Sequence, residues 1–373
     1  MRDVMVKWRA LLQPWVVVLV VLCVYLLWVL GRAGWDVMTF VTLDPIFARC
    51  DASAPDGYMG GYDGQFSYYI ARDPLNSPGC LDIPAYRLQR ILLPLLGRFT
   101  AFGAESLIPL TMIAINAIVF IISVVLFEQL LVAQRVNRWY SLVDGLFAGL
   151  LLAVRLNTSE PLSYGLAIMA VVLGQRGRVR WEMLAWVGAV LAKETALVFV
   201  AGVLLYDLLT QRWRHALLVG GVVCGVFAAW QAVLYGWVGS FGVGSGGAGG
   251  TAFELLPFGG LWRILDSGGV GTFGVFLLLA VPSVIIPALW LLWKSGRDLL
   301  DRRLHPYTLF AFLHGLMMWT LPSSTFREPL GLMRVMSGFV IAYLLYMGMR
   351  DPRGRSLLYS LVWFAFLVYL QAG

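Results

Sequence analysis

The sequence predicts an all-α polytopic membrane helix bundle of about eleven spans, with its N-terminus in the cytoplasm. Three observations predict it. Of the 373 residues, 60% are hydrophobic and only 13% charged, whereas a soluble domain carries about 25% charge. Mean hydropathy is +0.78, so the chain in water would expose far more apolar surface than a soluble protein tolerates. The basic residues gather in short clusters between apolar runs: RGRVR at 176–180, QRWRH at 211–215 and RDPRGR at 350–355. Inner loops of membrane proteins collect Lys and Arg in this way.

Dividing the apolar runs at charged or Gly/Pro breaks gives candidate spans at 11–31, 106–132, 140–155, 161–175, 182–193, 195–210, 216–237, 270–293, 306–321, 331–349 and 356–372. The pairs 140–155/161–175 and 182–193/195–210 are short, and the second reads equally as one bent helix. With the N-terminus inside, seventeen of the 28 Lys and Arg residues fall at inner turns. Removing one short span would put the later clusters on the wrong side. The first run, 11–30, is long for a signal peptide and lacks a small-residue cleavage site, so it is expected to remain as a span.

The whole chain, 1–373, therefore reads as one transmembrane domain with two large outer segments. Residues 33–105 form an extracytoplasmic loop with short amphipathic helices. Residues 238–269 form a second one, Gly-rich at 236–250 and expected to be mobile, with an interfacial helix at 253–265. The net charge of +7 fits the positive-inside pattern, and no basic stripe on a soluble domain points to nucleic acid. Of four cysteines, Cys23 and Cys224 lie in apolar runs and read as packing residues. Cys50 and Cys80 share the first loop. If that loop is outside they can pair, and otherwise they are two free thiols.

The first loop holds the constellation suited to chemistry: GYDGQFSYYIARDPLNSPGCLDIPAYRLQRILLPLLGR. Asp63 sits between Tyr62 and Gly64 in a Gly-flanked turn that permits close approach of a ligand. Phe66, Tyr68 and Tyr69 offer aromatic surface for an interface or a sugar face. Arg72-Asp73-Pro74 ends a short helix, and Arg87 and Arg90, three apart, share a helix face. A carboxylate can take a proton from an acceptor hydroxyl, while arginines hold a phosphate and stabilise its growing charge. The same acids and arginines also serve as structural salt bridges elsewhere.

The run YDGQFSYYIARDP, followed by AYRLQRILLPLLG, resembles the first outer loop of bacterial GT-C glycosyltransferases. That loop carries an acid near an aromatic residue, then an amphipathic helix and a Pro-containing run. Tyr62-Asp63-Gly64-Gln65-Phe66 occupies the first place, with Tyr where the family often has Trp, and Leu92-Leu93-Pro94-Leu95-Leu96 the second. The resemblance covers about 40 residues and rests beyond them on span topology. It implies a sugar transfer from a polyprenyl-phosphate donor to an extracytoplasmic glycan, lipid or protein, in the bacterial cytoplasmic (inner) membrane. Asp63 would be the catalytic base or a metal-binding acid, with Asp73 as the best second acid. Some family members use a divalent cation, Mg or Mn, and others none, so the cofactor stays open.

Under the same resemblance Tyr62, Gln65, Tyr69, Arg72, Asp73, Arg87 and Arg90 would line the substrate site. Lys193 and Glu194, in LAKETALVF, would meet a phosphate or pair with each other at the end of a span. Arg327 and Arg334, seven apart on one helical face, would bind the donor phosphate, or Arg334 would snorkel. Arg155 and Glu160 read as a structural pair across their turn. His215 and His305 read as solvated and His314 as hydrogen-bonded within the bundle. No HExxH, GxSxG, P-loop or dinucleotide motif is present in context. Two other classes compete: a transporter or flippase, which needs charges deep in broken helices, and a non-catalytic subunit of a membrane complex.

Overall fold

The computed structural model describes residues 13–44, 61–246 and 250–371, all helix and connection with no strand among them. The first helix, α1 (Pro14–Arg32), opens with Pro at its first turn, where the missing N–H costs nothing. The first loop then folds into α2 (Gly64–Arg72), α3 (Pro84–Leu88) and α4 (Leu92–Thr100). A long helix, α5 (Ile108–Ala133), follows. Next come six helices: α6 (Ser141–Gly145), α7 (Ala148–Arg155), α8 (Glu160–Gln175), α9 (Val179–Ala192), α10 (Leu197–Leu209) and α11 (Trp213–Val238). After the Gly-rich connection come α12 (Gly259–Ala280), α13 (Ile286–Leu300), α14 (Pro306–Trp319), α15 (Ser323–Arg327), α16 (Pro329–Arg350) and α17 (Arg355–Tyr359), with a 3-10 segment at Ser360–Gln371.

Among the described residues, five helical runs are long and apolar enough to cross a membrane: Pro14–Arg32, Glu105–Ala133, Trp213–Val238, Gly259–Leu300 and Pro329–Arg350. These suit a helical membrane protein. The short runs read as spans behave differently. The expected helix 140–155 is broken at Leu146–Phe147 into α6 and α7. At 1.5 Å per residue, α8, α9 and α10 reach only about 20–24 Å, less than a hydrocarbon core of about 30 Å. The break between the expected interfacial helix and the span 270–293 is a kink at Gly269, whose φ of 74° glycine tolerates. The helix before it starts at Gly259 rather than Phe253. A π turn at Val281–Ile285 then joins α12 to α13.

Burial separates centre from periphery. The apolar stretch of α16 is 83% buried and that of α1 only 28%, so α16 is the axis of the bundle and α1 lies on its rim. The rim helices α1, α11 and α12 leave Val24, Leu217 and Val270 exposed. In lipid such a face loses nothing, because the hydrocarbon is as apolar as the side chains.

The two ends of the bundle differ chemically. One end carries Arg176, Arg178, Arg212, Arg303 and Arg350 at helix termini. Ties there hold the ends together: Gln175 to Tyr307, Arg176 to Gln129, and Tyr346 to Asp298. His215 is not solvated there. It is held between Asp207 and the buried Glu182, at 2.5 and 3.1 Å. His305 caps α14 by accepting the Tyr307 N–H, and the buried His314 lies within hydrogen-bond distance of the Phe310 carbonyl. The opposite end carries the first loop.

Candidate functional site

The sequence folds the first loop onto the bundle through glycine. Gly64 opens α2, and a Cβ there would fall 1.8 Å from the Leu156 carbonyl oxygen. No larger residue lets α2 rest on that turn. The turn itself is pinned. Asn157, in the left-handed region at φ 51°, donates to the carbonyls of Phe40 and Pro109, and Asn116 donates to the Thr158 carbonyl. Arg98 donates to the Ala71 carbonyl at the other end of α2, satisfying a terminal acceptor. The close approach expected beside Asp63 is therefore made by the protein's own backbone.

Asp63 precedes α2 in the position where aspartate often caps a helix, yet its side chain makes no capping hydrogen bond. Its two oxygens accept from different arginines, Arg87 Nη1 and Arg334 Nη1, each at 2.8 Å. Arg87 also grips Asp82 through Nε and Nη2, at 2.7 and 2.8 Å, and lies 4.2 Å from the Phe66 ring centre. Arg334, in the second turn of α16, donates to the Tyr62 hydroxyl at 2.9 Å and to Glu160 at 2.6 Å. Glu160 also takes the Lys193 ammonium. Arg90 pairs with Glu194 at 2.5 Å and stacks on Tyr86.

Four carboxylates thus meet four cations across five parts of the chain: the 61–64 turn, residues 82–90 on and around α3, the start of α8, the end of α9 and the start of α16. Burying so many charges costs several kcal/mol per ion before pairing offsets it. A merely structural contact would be cheaper in apolar residues. Exposure is uneven: Glu160 is fully buried, while the Asp63 side chain is 31% exposed. Asp63 is the member that a ligand reaches first.

A narrow recess of about 20 Å³, room for little more than one water molecule, opens at this point, lined by Asp63, Ser67, Arg87, Arg90, Ser159 and Arg334 among others. Burial raises the Asp63 carboxyl, but the charges of Arg87 and Arg334 overcome this and hold it far below the usual carboxylate range. As it stands Asp63 is ionised and a weak base.

The other residues singled out from the sequence fall around this recess or away from it. Tyr62 touches Arg334 at its edge. Gln65 is buried and holds the Asp44 N–H, and Tyr69 is buried against Tyr68. Arg72 pairs with Glu105, and Asp73 holds Asn76 on the surface, so this acid does not join Asp63. Lys193 and Glu194, neighbours in sequence, do not pair with each other, since extended backbone at Lys193 turns them to different partners. Arg327 and Arg334 do not share a face: α15 ends at Arg327, the chain breaks at Glu328, and Arg327 is exposed. Glu160 pairs with Lys193 and Arg334 rather than Arg155.

Sequence reading missed Asp82, Thr158, Ser159 and the central part of Glu160. The one available signal was Thr158-Ser159-Glu160-Pro161, a helix start whose acid lies in the first turn. Cys80 is disulfide-bonded, while Cys23 and Cys224 are free. Cys50, its expected partner, lies outside the described residues, as do the basic residues before residue 13.

The arrangement does not fit a divalent cation. Both Asp63 oxygens face guanidinium groups, and no three His, Cys, Asp or Glu side chains converge among the described residues. It fits an anion that competes with Asp63 for its arginines. In comparisons with protein-family models, curated proteins and solved structures, nothing matches this chain.

Proposed function

We propose that the chain is an integral membrane glycosyltransferase that moves a sugar from a polyprenyl-phosphate donor to an acceptor hydroxyl outside the cytoplasm. The observation that carries this reading is Asp63 bridging Arg87 and Arg334 at the mouth of a recess that Arg90 also lines. GT-C-like organisation, with the N-terminus inside and a bacterial inner-membrane location, belongs to the same reading. It follows from the first-loop motif and the unequal charge of the two ends.

The geometry suggests an order of events. A donor phosphate enters only as the partly exposed Asp63 side chain swings aside, and it then takes over Arg87 and Arg334, which hold it by charge-assisted hydrogen bonds. Asp63, released from both, regains the basicity that its ion pairs suppress. The acceptor oxygen attacks the anomeric carbon and the bond from that carbon to the phosphate oxygen breaks. Asp63 takes the acceptor proton, and polyprenyl phosphate leaves with its charge on the arginines. In this scheme the resting ion pairs keep the base unavailable until donor is bound.

The test is Asp63→Asn, assayed with purified polyprenyl-phosphate sugars in proteoliposomes. The variant is expected to fold, to bind polyprenyl phosphate, and to lose at least about a hundredfold in transfer, the usual contribution of a general base. Transfer at the wild-type rate would overturn the role of Asp63. A transporter is the second reading. The interrupted helix at Gly269 and Val281–Ile285 favours it, since transporters break their helices. Counterflow of a lipid-linked sugar without transfer would select it.

A further inference from the structure

A second cavity lies beside the end of α1 nearer the Asp63 site. It is partly open, of about 340 Å³, and lined by Trp28, Arg32, Thr39, Arg155 and Gln371 among others. Neither of its two cations has an anionic partner among the described residues. Arg32 lies over the Trp28 ring at 5.1 Å. The Arg155 Nε is buried with no hydrogen-bond acceptor among the described residues. The Tyr25 hydroxyl, within electrostatic reach of Arg155, is also without a partner.

Arginine at the C-terminal end of a helix, where both of these stand, complements the helix dipole. That accounts for their position but not for a buried donor left unmade, which costs the full desolvation of the group. An anion in the cavity removes that cost. The surroundings identify its source. The α1 helix is a rim helix, with Val24 and Leu27 exposed along its side and Trp28 and Trp35 exposed at this end. Exposed tryptophans at the end of an apolar helix mark the headgroup level of a bilayer.

We propose that this cavity binds the phosphate headgroup of an anionic lipid. Arg155 and Arg32 would hold the phosphate, the Thr39 hydroxyl would add a donor, and the chains would lie along α1. The proposal does not rest on sugar transfer. The two sites nevertheless share one turn: Arg155 faces this cavity, while Thr158 and Ser159 line the recess around Asp63.

The experiment is native mass spectrometry of the full chain in neutral detergent, titrated with phosphatidylglycerol, phosphatidylcholine or inorganic phosphate. The wild type is expected to retain one tightly held phosphatidylglycerol that phosphatidylcholine does not replace. The double variant Arg32→Gln/Arg155→Gln should hold it about tenfold or more weakly, as loss of charge-assisted hydrogen bonds requires. Arg178→Gln, at the opposite end, should retain it as the wild type does. Should Arg155→Gln not fold, the more accessible Arg32→Gln and Thr39→Val carry the test, each weakening retention. Equal retention by the double variant, or by phosphatidylcholine, overturns the proposal. Displacement of the lipid by inorganic phosphate at equal concentration overturns the lipid as source and assigns the site to free phosphate.

Discussion

At the scale of single residues, the site turns on which charge is buried and which is reachable. Glu160 is enclosed and serves two cations, Lys193 and Arg334. Glu160→Gln leaves both buried with a neutral partner, and breaking a buried pair costs about 3–5 kcal/mol. The expected outcome is a large fall in the thermal midpoint of the detergent-purified protein. A midpoint equal to the wild type would mean that the network contributes little. Asp63, partly exposed, should behave differently. Its carboxyl is held well below the usual range, so its ion pairs stabilise the fold above the unfolded pKa of about 4 and are lost only as pH falls through the lower folded value. The stability gap between wild type and Asp63→Asn should therefore stay constant from about pH 5 to pH 8 and narrow only in stronger acid. A gap that changes near neutrality would show that Asp63 titrates there.

At the scale of elements, the position of Asp63 depends on how α2 sits on the turn after α7. A methyl group at Gly64 would overlap the Leu156 carbonyl, whereas one at the exposed Gly79 meets nothing within 4 Å among the described residues. Gly64→Ala should push α2 outward, lower the thermal midpoint and reduce the proposed sugar transfer, although it removes no charge. Gly79→Ala should stay within about 0.5 kcal/mol of the wild type, as exposed substitutions usually do. Equal stability of the two variants would rule out the close contact. The Gly-rich connection gives a related lesson. Gly242 packs against the Ala85 carbonyl and Gln89, with its N–H bound to Gln231, so this part is docked onto α3 rather than loose. Glycine there permits contact more than motion.

At the scale of the whole molecule, the chemical difference between the ends implies a sidedness. Leu75, 77% exposed, lies at the end with the first loop, and Arg178 lies exposed at the basic end. With the N-terminus inside, Leu75→Cys should react with an impermeant maleimide on intact cells. Arg178→Cys should react only after permeabilisation. The reverse pattern would invert the proposed orientation, and labelling of both from one side would contradict the span arrangement.

The sequence by itself determined the helical class and the apolar character of the long runs, because each helix needs only its own residues to satisfy its backbone in lipid. It also singled out Asp63, Arg87, Arg90 and Arg334, from charge standing out against an apolar background. Only the tertiary structure decided who pairs with whom. Glu160 lies 174 residues from Arg334 and Arg90 lies 104 from Glu194, and no local periodicity encodes such partners. It likewise separated Arg327 from Arg334 at a break the heptad spacing concealed, and turned Lys193 away from Glu194. Ion pairing is set by distance in space, to which a sequence of short helices gives little guide. The fold's class was legible from composition, while the site's wiring came from packing five distant segments into one network of four carboxylates and four cations.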